Sequence, residues 1–275
     1  GLYGAVQRNY VLPISEAPTT GGSTYEAYYV VGSDKGLTTP PVAAIGRNDR
    51  TGQQVWSGDW GYPGEADYRE FHRKDPESGL QYWRVTGSGV DLGAKDLYHP
   101  DWAEGKVRAH AEHYAQLVEE LILEHSGGEI QFPLIASNYD AELFGHWWFE
   151  GVDWLRQVLQ LLAESESVEL VTASGYLEQH PPEEVLALPE GSWGMGGGHW
   201  TWDNPETHWM WQPIGEAERR MERLAQRELQ SHDADVAAVL DQAARELLLL
   251  ESSDWPFLVT TGQAREYAVQ RFTPH

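Results

Sequence analysis

Cysteine is absent from all 275 residues, which excludes disulfide scaffolds and thiolate metal centres. That absence points to an intracellular, cytoplasmic protein. Basic residues are scarce as well: 19 Lys and Arg stand against 43 Asp and Glu, giving a formal charge of −24 and a pI near 4.7. Nucleic acid and anionic membranes are thereby excluded as partners, because both need clustered cations to displace counterions. Neutral polymers stay open. There is also no long apolar run: the richest, Leu247-Leu248-Leu249-Leu250, has glutamate on either side, far short of the ~20 residues that span a bilayer. A soluble protein is expected. Neither an internal repeat nor a low-complexity tract is present.

What the chain does have is aromatic surface, with 13 tryptophans and 13 tyrosines. Such rings offer flat apolar faces with a polar edge, suited to stacking on the C–H faces of pyranose rings. Core packing is the alternative for any one of them. Clustering beside Gly-rich turns, as in Gly191-Ser192-Trp193-Gly194-Met195-Gly196-Gly197-Gly198-His199-Trp200-Thr201-Trp202, favours stacking there.

Periodicity predicts strands at about residues 28–31, 42–46, 80–85, 132–136 and 168–172. A helix is predicted over 101–125, with Ala109, Tyr114, Leu117, Val118, Leu121 and Ile122 on its apolar side and Gly127-Gly128 as its stop. Further helices are predicted at 152–162 and near Tyr176. Residues 46–80 read as a Trp- and Gly-rich connection. Strands alternating with helices indicate α/β with parallel pairing. Composition changes after Pro181-Pro182, and helices at about 215–230, 234–250 and 263–272 form an all-helical second domain beyond a boundary near 185.

The stretch Asn138-Tyr139-Asp140-Ala141-Glu142-Leu143-Phe144-Gly145-His146-Trp147-Trp148-Phe149-Glu150-Gly151 packs carboxylates, a histidine and paired tryptophans between a strand and a helix. Asp140 would sit where the strand ends, on the rim where α/β barrels keep their active sites. A glycosidic oxygen leaves well only if protonated, which asks for a carboxylic acid with a raised pKa. An apolar wall of Tyr139, Phe144, Trp147 and Trp148 is expected to supply that environment. The alternative makes Asp140 a helix N-cap.

This stretch resembles the fourth signature of glycoside hydrolase family 57. Four other segments resemble that family's 1,4-α-glucan branching enzymes: Gln54-Val55-Trp56-Ser57 with Gly61-Tyr62-Pro63-Gly64, Tyr68-Arg69-Glu70-Phe71, Ser192 to His199, and Ser252-Ser253-Asp254-Trp255-Pro256-Phe257. The resemblance implies part of a distorted (β/α) barrel over 1–185, with an enlarged loop at about 15–40 over the active site. It implies a helical C-terminal domain over 186–275 that contributes to the substrate cleft. No tyrosine of the loop is nominated.

By the same resemblance Asp140 is the catalytic acid/base of a retaining mechanism. Arg47, in Ile45-Gly46-Arg47-Asn48-Asp49, binds substrate, unless it makes a surface salt bridge. Gly64 lets a sugar approach the backbone, though it is first a turn residue. Trp56, Trp193 and Trp202 shape subsites, Asp254 contacts substrate unless it serves as a cap, and His146 and His199 bond sugar or neighbouring carboxylates. Glu142 and Glu150 are taken as structural. The family's nucleophilic glutamate and a His-x-His motif would lie upstream and have no counterpart here, so this piece alone is expected to be inactive without the N-terminal half as partner. No cofactor is implied. His110 and His113 are three apart on a helix without a third ligand, so no metal site is expected and a solvated helix face is.

The reading is therefore a transfer of α-1,4-glucan chains to a 6-hydroxyl, as in glycogen biosynthesis. An amylase or 4-α-glucanotransferase of the same family is the nearest rival. A non-catalytic glucan-binding protein and a metal-dependent hydrolase follow.

Overall fold

The computed structural model describes residues 22–30, 42–128, 130–186, 191–228 and 234–275. The chain divides into two compact units, Gly1–Pro189 and Glu190–His275. The loop expected at about 15–40 is described only over 22–30; the rest of it, with Tyr3, Tyr10 and Pro41, lies outside the described residues.

The first unit is mixed α/β. Strands β1 (Ala27–Val30), β2 (Val42–Ile45) and β3 (Val185–Leu186) form one sheet in the order β2-β1-β3. β1 runs antiparallel to β2 and parallel to β3, so the pairing is not uniformly parallel as expected. Helix α1 (Asp49–Trp56) lies where only a connection was anticipated. The Asn48 side chain accepts the Thr51 N–H at 3.0 Å and Asp49 stands in the first turn, so capping and dipole both favour a start there.

Helix α2 (Pro100–His125) opens with Pro at its first position and ends at Ser126, before Gly127 at φ 78°. Its buried stripe is Ala103, Val107, Ala111, Tyr114, Ala115, Leu117 and Val118, whereas Ala109 is exposed and does not belong to it. Helix α3 (Gly151–Ala163) answers with Trp154, Val158 and Leu162 at four-residue spacing. Small residues on α2 let α3 approach closely, and Tyr62, Tyr68, Leu143 and Trp148 complete this core. Helix α4 (Ala173–Gln179) follows, capped by Thr172.

Three predicted strands do not form. Residues 80–85 make only isolated antiparallel bridges, Arg69 with Arg84 and Trp83 with Leu97. This irregular segment is held by side chains: Arg84 to Asp67 and Asp96, and a buried Lys95–Glu70 pair at 3.1 Å. Residues 132–136 and 168–172 form no ladder: among the described residues 132–136 has the Arg47–Ala136 bridge and a single Leu134 N–H to Tyr25 O bond, too few for a strand.

The second unit holds helices α5 (Trp211–Glu228), α6 (Ala234–Leu250), α7 (Asp254–Thr261) and α8 (Arg265–Phe272), with no strand among its described residues. Met210, Ile214, Leu250, Trp255, Val259, Ala268 and Phe272 form its core. Gly262, at φ 71°, ends α7 in the left-handed conformation. No helix among the described residues is long and apolar enough to cross a membrane.

Candidate active site

Asp140 occupies the N-cap position of a 3-10 turn, Ala141–Leu143, with extended backbone at φ −65° and ψ 131°. Its side chain makes no capping hydrogen bond, so the cap alternative fails, and the carboxylate is exposed. The expected apolar wall is split. Trp148 is buried in the core against Tyr68 and Trp154, Trp147 points outward, and only Tyr139 and Phe144, packed edge-on at 5.9 Å, stay half-buried. The turn itself causes the split: Trp148 N–H donates to Leu143 O and Gly145 N–H to Trp148 O, folding Trp148 back over the interior.

The segment before Asp140 is tied to α1 and α2 by hydroxyls. Tyr139 OH donates to Thr51 O at 3.0 Å and lies 3.0 Å from Tyr114 OH. Tyr114 OH donates to Ser137 Oγ at 2.8 Å, and Ser137 Oγ lies 2.6 Å from Thr51 Oγ1. Thr51 Oγ1 reaches Asn48 Oδ1 at 3.1 Å. Burial pushes both phenols up from their ordinary pKa, so they remain protonated donors.

Arg47 directly precedes Asn48. Its backbone bridges Ala136 in parallel and Asn48 N–H donates to Ala136 O at 2.8 Å, so the chain entering Arg47 runs beside the chain entering Asp140. The half-buried Arg47 side chain lies over Gly52, where a Cβ would stand 3.4 Å from both Cδ and Nε. Trp56 closes α1 with its ring 6.5 Å from that of Tyr139. Asp140, Arg47 and Trp56 are thus gathered on one hydrogen-bonded group.

Gly64 and His146 are outside that group. Gly64 ends the Tyr62–Gly64 turn, is exposed, and has nothing within 4 Å of where a Cβ would stand. The turn's demand for glycine falls instead on Gly61, where a Cβ would collide with the Val55 and Ser57 carbonyls. His146 is exposed, its ring edge-on to Phe71 at 5.1 Å. Glu142 is exposed, while Glu150 is buried and accepts the Arg69 N–H at 3.0 Å, with the Tyr98 hydroxyl beside it. Burial pushes its pKa up.

The expected solvated face holds for His113, which is exposed, but not for the half-buried His110. Their Nδ1 atoms meet Tyr68 OH at 2.8 Å and Tyr62 OH at 2.6 Å, and the His110 ring stacks on Tyr62. Two buried phenols need partners, and these histidines supply them. Burial lowers the His110 pKa. Among the described residues no group of three or more His, Asp or Glu could hold a metal.

The second unit gathers three further predicted residues. Trp193 is 63% exposed and meets the half-buried Trp202 edge-on at 4.9 Å and Phe257 at 5.7 Å. Gly194 makes room for this, since a Cβ there would stand 2.6 Å from the Trp202 ring. Asp254, exposed, opens α7 three residues before Phe257, which puts both on one helix face. It is not the cap: Ser253 holds that position, without a side-chain hydrogen bond.

Residues 213–275 match the family described as 1,4-alpha-glucan branching enzyme, C-terminal. The chain is 48% identical over 257 residues to the 1,4-alpha-glucan branching enzyme TK1436 of Thermococcus kodakarensis, covering 93% of this chain and 37% of that protein. The crystal structure of TK1436, a GH57 branching enzyme solved with glucose and additives, superposes at TM-score 0.74 with 47% identity, over 96% of this chain and 46% of that one. The alpha-amylase AmyC of Thermotoga maritima superposes at 0.67 with 32% identity, over 92% and 49%. The chain therefore spans less than half the length of these relatives.

Proposed function

We propose that this chain, which belongs to the glycoside hydrolase family 57 branching enzymes and carries their C-terminal part, supplies the acid/base carboxylate and the glucan-holding aromatics of a 1,4-α-glucan branching enzyme. The observation that carries the reading is Asp140: an exposed carboxylate that caps nothing, on a segment whose neighbouring side chains are anchored in the interior. A carboxyl so presented can protonate the leaving glycosidic oxygen and then take the proton from an incoming 6-hydroxyl. A nucleophilic carboxylate about 5–5.5 Å away is needed for retention. Glu150 is unsuited, being buried and bonded to the Arg69 N–H, and the family resemblance puts the nucleophile on polypeptide outside this chain.

Arg47 and Asp254 would bond sugar hydroxyls, Trp56, Trp193 and Trp202 would stack on glucan rings, Gly64 would admit a sugar to the backbone, and His146 would bond it at the rim. Residues 132–136 and 168–172 fit strands of a distorted (β/α) barrel that this chain only partly contains, with 186–275 as its helical C-terminal domain. The setting is cytoplasmic glycogen synthesis.

The test is product analysis: the natural polypeptide carrying this chain, incubated with amylose, creates new α-1,6 branch points. Reducing ends without branch points would assign it to the amylase reading, which the similarity to AmyC supports.

A further inference from the structure

The hydroxyl chain beneath Asp140 uses each of its protons once. Tyr139 must donate to Thr51 O, because a carbonyl only accepts. Thr51 Oγ1 gives its proton to Asn48 Oδ1, which leaves Ser137 as the donor across the 2.6 Å contact to Thr51 Oγ1. Ser137 Oγ in turn accepts from Tyr114. The order Tyr114 to Ser137 to Thr51 to Asn48 is thus fixed in direction, and Tyr139 is tied to it through the Thr51 carbonyl; its 3.0 Å approach to Tyr114 OH carries no hydrogen, since both phenol protons are given elsewhere. Asn48 is 1% exposed, Thr51 0% and Tyr114 4%, so water does not compete for the inner links. Asn48, where the chain ends, adjoins Arg47, and Tyr139, held on the Thr51 carbonyl, adjoins Asp140.

We infer that Thr51, Tyr114, Ser137 and Tyr139 form a positioning rack that fixes the Asp140 carboxyl, and Arg47 with it, against the scissile bond. The inference rests on Asp140 being the acid/base. In this role the four act by holding backbone at residues 47–48 and 136–140. A displacement of about 1 Å at such a group costs about a hundredfold in rate, so loosening the rack lowers turnover more than binding.

The test uses the natural polypeptide carrying this chain, with Tyr139→Phe, Thr51→Val, Thr51→Ser and Asp140→Asn. Each is assayed on amylose and on α-maltosyl fluoride. In the fluoride the bond from the anomeric carbon breaks as the bond to the enzyme nucleophile forms, and fluoride departs as the anion without a proton. Acid assistance is therefore needed for amylose and not for fluoride release.

We expect Tyr139→Phe and Thr51→Val to lose roughly 10- to 100-fold in kcat on amylose with KM changed less than about threefold, and to release fluoride in the first turnover at near the wild-type rate. Thr51→Ser, which keeps the hydroxyl, retains wild-type activity. Equal losses on both substrates, while Asp140→Asn spares the fluoride, would overturn the rack and leave Asp140 in place. If Asp140→Asn itself failed to spare the fluoride, the acid/base reading would fall and the rack with it. Should Tyr139→Phe not fold, the Thr51→Val and Thr51→Ser pair decides alone.

Discussion

Two carboxylates ten residues apart in one motif meet opposite fates, and the difference is burial. Asp140 is exposed and caps nothing, whereas Glu150 is inside, holding the Arg69 N–H with the Tyr98 hydroxyl nearby. Burial raises the Glu150 pKa above its unfolded value, so the stability it contributes is complete below the ordinary glutamate range and is lost as pH rises through the folded value. Glu150→Gln keeps the acceptor for Arg69 and removes the buried charge. Its melting temperature should exceed that of wild type at about pH 8, with the gap closing toward about pH 4, as thermal scans across pH would reveal. Trp193 presents the reverse case, a large apolar side chain left in solvent. Trp193→Ala should weaken amylose binding about tenfold, measured as KM, with an unchanged melting temperature.

Elements were legible where a pattern was long. The spacing in α2 and α3 located both helices to within a residue or two, and 42–46 located β2. Helix α1 escaped because its buried residues are Thr51, Gly52 and Gln54 beside Val55, which leave no apolar stripe; Asn48-Asp49 was the available signal. Helix α7 escaped behind Pro256, which a first helical turn tolerates. Residues 132–136 and 168–172 read as strands from their side chains, but a ladder also requires a neighbour, and that is not written locally. The site was legible as a motif at Asp140, yet the contact between Thr51 and Ser137, 86 residues apart, has no local trace. The start of α3 offers a check on packing at this scale. A Cβ at Gly151 would stand 2.9 Å from the Trp148 ring, so Gly151→Ala should destabilise the first unit by about 1–3 kcal/mol in a denaturant titration, despite alanine being the better helix former.

At the scale of the whole molecule, charge and chain length set the terms. A formal charge of −24 leaves little to attract an anionic partner, and a neutral glucan should be held by stacking and hydrogen bonds. KM for amylose should accordingly change less than about twofold between roughly 0.05 and 0.5 M salt, where a charged polymer would lose binding steeply. The chain spans 37% of the Thermococcus branching enzyme it resembles, and the proposed retaining reaction needs a second carboxylate, which the family resemblance puts outside this chain. The decisive measurement is the rate at which the natural polypeptide, wild type beside Asp140→Asn, forms α-1,6 linkages from amylose. With Asp140 as acid/base the variant falls by about 10²- to 10⁴-fold with its fold intact; branch formation at an undiminished rate would remove Asp140 from that role.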